Sequence, residues 1–529
     1  MTLPLDLVSI RRMRVHRMLN AQRTQRDKHI TIWEYVLTQE AAAGSAYMRL
    51  KDGTLYMFLA TTRDIAPLPH STSGGDKVIA YLNAMYGITE SDACGRFIYS
   101  QLRAHAIQHG TEVELRRFAA FNKETVTGYI SAYNGQTWQI DGGTPTLVDN
   151  GTDGVFFADD DGGIGCTPDI APHGLLLDTL TSLNFAPTGL SGITPDLQRK
   201  AMIVWLFALA FPDRMPTKPL LLIEGTQGSG KSAAVQLMQL ALLGISKPMI
   251  LNKNKEDDFG VQLLRSPIAV FDNTDTYIDW VADSICSYTT LGYWVKRKLF
   301  TTAEEAIIRP HAFIAIASKN PASFRREDVA DRLLVLRLER REAFRPFQAL
   351  QAEILALRPR LLGEYLWYLN QIVAHLRIYN DELEVAEETS RMADYAQFGR
   401  VVEAVLRWPA GTIDDMLAAM ERERYSFINE DDPLVQLMHT WLKDKRNHGR
   451  VVGANVLYTE LSVHASMLGV QLYKSPRTLG QKLRSPHVEE EFTVVQSAKD
   501  GHKTYQFWPR SILQVVAGGL SQPQSLGPA

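Results

Sequence analysis

The chain has 529 residues, a formal net charge of −3 and 45 % hydrophobic residues. That length suits two to four packed domains, and the near-neutral charge excludes a uniformly basic nucleic-acid coat. Three scattered cysteines, Cys94, Cys166 and Cys286, exclude a disulfide scaffold and a cysteine-built zinc site, and no apolar run reaches the eighteen residues that a membrane span needs, so a cytoplasmic protein is expected.

Residues 1–190 read as a mixed α+β region. It opens with a basic arm, 1–28, that carries seven Arg or Lys and two Asp and lacks the apolar stretch of a secretory signal. "TLYMFLAT" (54–61) predicts a strand. "VTGYISAYNGQTWQID" (126–141) predicts a hairpin that turns at Asn134–Gly135. The acidic "FADDDGGIG" (157–165) reads as an exposed loop in preference to a metal site.

Residues 191–345 alternate apolar strands and helical stretches, the pattern of an α/β domain. Leu220–Ile223 is a strand-length apolar run behind Pro219. It is followed by Gly225, Thr226, Gln227, Gly228, Ser229, Gly230, Lys231 and Ser232, and then by helix formers to Leu243. This is the G-x-x-x-x-G-K-[ST] phosphate loop in its required strand–loop–helix setting. The glycines let backbone N–H groups converge on phosphate oxygens, Lys231 reaches the β- and γ-phosphates of ATP, and Ser232 places its hydroxyl on Mg²⁺. "SPIAVFDNTDTY" (266–277) supplies the second metal carboxylate, Asp272, at the end of an apolar strand. The next residue is Asn273, which is no base; Asp275 and Glu224 both remain candidates to orient the attacking water.

"WVKRKLFTTAEEAII" (294–308) reads either as a hairpin with Lys296, Arg297 and Lys298 at its tip or as a solvated edge strand. A further strand, "AFIAIAS", ends at Ser318, with Asn320 two residues on; either suits sensing of the γ-phosphate. Arg325, Arg326 and Arg332 follow in "RREDVADRLLVLRL", as catalytic arginines or as partners of Asp328 and Asp331.

Residues 346–431 read as a helical subdomain. Residues 432–512 show two short helical patterns and a hairpin, "FTVVQSAKDGHKTYQFW", with its turn near Asp500–Gly501. Eleven basic and six acidic residues lie between 441 and 510. Helices, a hairpin and basic charge together suggest a winged-helix-like DNA-binding domain. The tail, 513–529, is rich in Gly, Ser, Gln and Pro and is expected to be disordered.

The order of GTQGSGKS, FDN, the "RKLFT" hairpin and "REDVADR", with "SRMADYAQFG" (390–399) beyond them, resembles phage- and plasmid-type AAA+ ATPases. These are related to superfamily 3 helicases and to poxvirus-like primase–helicases. The resemblance covers about residues 180–400. It implies a P-loop AAA+ core, a homo-hexameric ring, ATP and Mg²⁺ at subunit interfaces, and an arginine finger drawn from Arg332, Arg326 or Arg325. It also implies that Lys296, Arg297 and Lys298 grip single-stranded DNA in the pore; the winged-helix-like end is expected, from its architecture alone, to add a contact to duplex. Relatives place Asn where Ser318 stands, which leaves the sensor between Ser318 and Asn320. The function implied is a DNA helicase or translocase in replication of a mobile element. An ATPase switch acting on DNA or a protein partner is the alternative. A primase–helicase is a third, disfavoured by the poor carboxylate pattern before residue 190.

Overall fold

The computed structural model describes every residue except 1–4, 71–75, 159–161, 190, 252–255, 292–293, 298–304, 309–310, 386–391, 500–501 and 511–529. It is a mixed α/β structure with many helices and several sheets.

The chain opens with the helices Leu5–Leu19 and Gln25–Ala43. Thr24 caps the second by accepting from the Asp27 N–H at 3.2 Å, and Gly44, at φ 88°, ends it in the left-handed conformation that glycine adopts without strain. Glu40 on this helix is fully buried. It is paired on all sides, by the hydroxyls of Tyr86 at 2.6 Å, Tyr81 at 2.9 Å and Ser45 at 2.6 Å, and by Arg11 at 3.7 Å. A four-stranded sheet of Asp64–Pro67, Leu55–Leu59, Ala46–Arg49 and Thr111–Glu112, in that order, packs with the helices Asp76–Tyr86 and Ala93–His109 around Ile32, Val36, Met57 and Leu102.

An antiparallel meander follows: Ala119–Asn122, Thr127–Ser131, Gln136–Ile140 and Thr146–Asp149. The hairpin expected at 126–141 is present, with Ser131 opposite Thr137 and Gly135 at φ 76° in its turn. Phe121, Ile130 and Ile140 of this sheet share one apolar core with Trp205, Phe211 and the central sheet.

The central sheet is four-stranded and parallel, ordered Ile268–Asp272, Phe313–Ser318, Leu220–Gly225 and Leu333–Leu338. Helices cover both faces, so its strands are continuous apolar runs rather than alternating ones. Leu220 to Ile223 are at most 1 % exposed. Each such buried side chain contributes about 1.5–3 kcal/mol, enough for four residues to hold a short strand in place. The 39-residue helix Phe347–Val385 packs along the helix Lys231–Leu243. Its buried Arg358 donates to the carbonyls of Ala241 and Leu242 at 3.2 and 3.4 Å, closing the C-terminal end of that shorter helix. Two further helices, Ala393–Val405 and Thr412–Asn429, complete this part.

Trp294–Arg297 pairs antiparallel with Glu305–Ile308, with Arg297 opposite Glu305. Lys298 and the residues joining the two strands lie outside the described residues. Among the described residues beyond 432 there are four α-helices, where the sequence shows two helical patterns: Pro433–Leu442, Ala454–Leu468, Pro476–Lys482 and Pro486–Glu491. Three of them start with proline behind Asp432, Ser475 or Ser485, a start signal that short periodicity hides. Phe492–Lys499 then pairs antiparallel with His502–Pro509, and Val452–Gly453 adds a third strand. The turn at Asp500–Gly501, the acidic residues 159–161 and the tail from 513 fall outside the described residues. Among the described residues no helix is long and apolar enough to cross a membrane.

Candidate nucleotide site

The strand Leu220–Gly225 sits inside the parallel sheet, so its C-terminal end is flanked by the ends of two neighbours. The chain leaves it through Thr226 and Gln227, both exposed, and enters the helix Lys231–Leu243. Gly228 and Gly230 have φ of 83° and 87°, a conformation that aims successive N–H groups into one concavity. Gly225 has no room for a side chain: a Cβ there would lie 2.6 Å from the Ser229 Oγ and 2.7 Å from the Leu338 carbonyl oxygen. The Ser229 hydroxyl is buried beneath the loop without a hydrogen-bond partner. Lys231 Nζ lies 3.4 Å from the Thr226 carbonyl.

Ser232 opens the helix, and Asp272 ends the strand Ile268–Asp272. The fold brings them together: the Ser232 hydroxyl donates to Asp272 Oδ1 at 2.6 Å. The Asn273 N–H donates to the same oxygen at 2.9 Å, from a backbone at φ 55°. One hydroxyl and one carboxylate oxygen, side by side at the mouth of an N–H-lined loop, form a donor set that fits Mg²⁺ and a polyphosphate.

Asp275, three residues on, accepts from the Ser318 hydroxyl at 2.8 Å and from the N–H groups of Lys319 at 2.7 Å and Asn320 at 3.2 Å. Burial pushes its carboxyl up, but these three donors and the charge of Lys231 outweigh burial and hold it below the ordinary range. Ser318 is fully buried and Asn320 exposed. Glu224, in register with Ser318 on the neighbouring strand, is bound to Arg337 at 3.0 Å and Arg325 at 3.6 Å; burial raises its carboxyl despite those arginines.

The three candidate arginines separate. Arg325 is enclosed by its own chain, 2.8 Å from Glu430 and 4.8 Å over the Phe427 ring. Arg326 is 44 % exposed and pairs with Asp328 at 2.6 Å and Asp283 at 2.7 Å. Arg332 is half-buried, donating to the Asp328 carbonyl and lying 3.7 Å from the Cys286 Sγ. The strand carrying Lys296 and Arg297 packs against the helix Asp279–Leu291.

Sequence reasoning missed the segment after Leu338. The Arg341 N–H donates to the Gly228 carbonyl at 3.2 Å, and a Cβ on Gly230 would lie 3.1 Å from the Arg341 Nε. A Cβ on Gly228 would lie 3.0 Å from the Phe344 ring, over which the Arg340 guanidinium sits at 5.8 Å. This strap lies against the phosphate loop. Its signal was the double arginine in "LERREAF", directly after the strand that pairs with Leu220–Gly225.

Residues 190–416 match the family model of the actinomycete integrative conjugative element replication protein. The expected likeness to replication proteins of mobile elements is borne out over this segment. Three solved structures align over most of the chain. "SCCmec type IV Cch - active helicase" is 12 % identical, covers 89 % of this chain and 93 % of its own, and has a TM-score of 0.44. The A form apo structure of the NrS-1 C-terminal region is 11 % identical, covers 90 % and 98 %, and has a TM-score of 0.40. The apo structure of the same region is 12 % identical, covers 89 % and 97 %, and has a TM-score of 0.40. No curated protein matches the chain.

Proposed function

We propose that the protein is an ATP-driven DNA translocase or helicase that assembles as a homo-hexameric ring, works in the cytoplasm and serves replication of a mobile element. The observation that carries this reading is the Ser232–Asp272 contact of 2.6 Å beside the glycine nest. Two residues forty positions apart meet where a phosphate-bound metal needs both. The family match over residues 190–416 supports the setting in element replication.

On this reading 191–345 is a P-loop AAA+ core, 346–431 its helical subdomain, and 432–512 a winged helix on duplex DNA; 1–190 is an accessory α+β region. The loop from Gly225 to Gly230 binds the phosphates through N–H groups and Lys231 neutralises the β/γ charge. Ser232 and Asp272 hold Mg²⁺, which would offset charge on the transferred phosphate. Asp275 is the better-placed of the two candidate carboxylates to orient water, because Glu224 is occupied by Arg337 and Arg325. Ser318 and Asn320 tie that carboxylate to the sheet edge. Arg326, the exposed one of the three arginines, fits a finger on the neighbouring subunit with less rearrangement than Arg325; Arg332 remains with it as a candidate.

The test is hydrolysis by the purified chain with and without DNA, and strand displacement. Lys231→Ala should lose turnover and most nucleotide affinity. Asp272→Ala should lose turnover but keep more affinity. Wild-type turnover in either variant refutes the nucleotide site. Robust hydrolysis without strand displacement or translocation would favour the ATPase switch.

A further inference from the structure

The segment Arg11-Arg12-Met13-Arg14-Val15-His16-Arg17 divides its arginines between two uses. Arg11 is buried beside Glu40, 5.4 Å over the Tyr86 ring. Arg12 donates to the carbonyls of Ala84 and Asn83, 3.0 Å each, at the end of the Asp76–Tyr86 helix. Both hold the first helix to its neighbours. Arg14 and Arg17 sit three residues apart, on one helical face, and are exposed. They meet Arg23, from the turn, and Lys28, from the second helix, around a groove of about 320 Å³ that Met18 and Thr31 also line.

Among the described residues none of these four cations is ion-paired with a carboxylate. Arg14 lies 5.9 Å over the Tyr35 ring and Arg23 donates to the Thr31 hydroxyl at 3.3 Å. The nearest acid in sequence, Asp27, is taken by the Thr24 hydroxyl at 2.6 Å. Four like charges around one concavity repel each other, and an anion with several charges relieves that repulsion. The partners of Arg14 and Arg23 are uncharged, which leaves their charge to such a ligand.

We propose that this groove binds the phosphate backbone of DNA, as a contact additional to any made by the pore or the C-terminal domain; the inference rests on the reading that the chain works on DNA. A phosphodiester strand presents one charge every few ångströms and fits cations contributed by two helices and a turn. An anionic bilayer is the weaker match. Leu7, Ile10 and Met13 are exposed on the first helix, but its Val15 side is packed into the protein, and the cations wall a concavity where a flat surface would leave them unfilled.

The experiment uses the full chain without nucleotide and labelled single- and double-stranded DNA, with binding followed by anisotropy across a salt titration. Joint replacement of Arg14, Arg17, Arg23 and Lys28 by Ala should weaken binding roughly tenfold or more and flatten the slope of log affinity against log salt by about 3. Replacing four exposed cations elsewhere, Lys51, Lys77, Lys123 and Arg407, should leave the slope unchanged. Should the quadruple variant unfold, Arg14→Gln with Arg17→Gln keeps the test open, with a slope change of about 1.5. Wild-type affinity and slope in the folded groove variants overturn the groove. A wild-type chain that binds no DNA at any salt overturns the DNA reading itself. Binding to phosphatidylserine vesicles that the groove variant loses, while DNA binding survives, would give the groove to a membrane and also overturn the proposal.

Discussion

Ser232 and Asp272 could be named from sequence because their chemistry has a fixed local frame: an apolar strand, then the functional residue. Arg341 has no such frame. It reaches the phosphate loop only because the strand Leu333–Leu338 runs parallel to Leu220–Gly225, which delivers the following residues to the same edge. Among the described residues neither Arg340 nor Arg341 has a carboxylate partner, so Lys231 and the strap together concentrate positive charge beside Gly230. A hydrogen bond to a charged group is worth about 1.5–3 kcal/mol, which predicts that Arg341→Ala weakens ATP binding roughly ten- to a hundredfold. Arg341→Lys should recover part of the loss. Titration with a fluorescent ATP analogue reads both. Equal affinity in all three proteins would leave Arg341 as a packing residue only.

At the scale of elements, the strands of the central sheet were legible as apolar runs because burial on both faces removes the need for alternation. Their order was not. Among the strands of this sheet Ile268–Asp272 comes next before Phe313–Ser318 in sequence, yet nothing there says that Leu220–Gly225 lies beyond the latter. The paired strands Trp294–Arg297 and Glu305–Ile308 match the hairpin alternative, but Lys296 and Arg297 lie within its first strand, opposite Ala306 and Glu305, and not at its tip as expected. In the chain this hairpin lies between the Asp272 strand and the Ser318 strand, the two that flank the candidate metal site and Asp275. Changing Lys296, Arg297 and Lys298 to Ala should therefore leave basal ATP hydrolysis near wild type while removing its stimulation by DNA. A rate assay with increasing single-stranded DNA separates the two. Full stimulation in the triple variant would make these cations a solvated edge, and the coupling would have to run through another surface.

At the scale of the whole molecule, the segment Glu114–Arg116 meets Asp213 and His311, the latter just before the central strand Phe313–Ser318, through charges that no local pattern announces. Arg116 pairs with Asp213 at 2.7 Å and donates to the His311 Nδ1 at 2.8 Å. The His311 Nε2 lies 2.8 Å from Glu114, 197 residues away in the chain. Burial pushes the His311 pKa below its ordinary value despite the opposing Glu114 contact, while Nδ1 accepts from Arg116 and Nε2–H donates to Glu114. Burial also pushes the Glu114 carboxyl up, but the His311 hydrogen bond and the nearby positive charges outweigh it and bring the carboxyl down to about 2. A folded-state value below the unfolded one of 4.5 means stability that is present above that pH and is lost as pH falls toward about 2. Glu114 is 44 % exposed, so solvent screens the effect and a modest one is expected. Glu114→Gln should lower the melting temperature by about 1–4 °C near neutral pH, with the difference closing as pH drops through the acid range. Tryptophan fluorescence melts at a series of pH values supply the comparison. Parallel curves for the two proteins down to the acid limit would show that the Glu114–His311 contact does not contribute to stability.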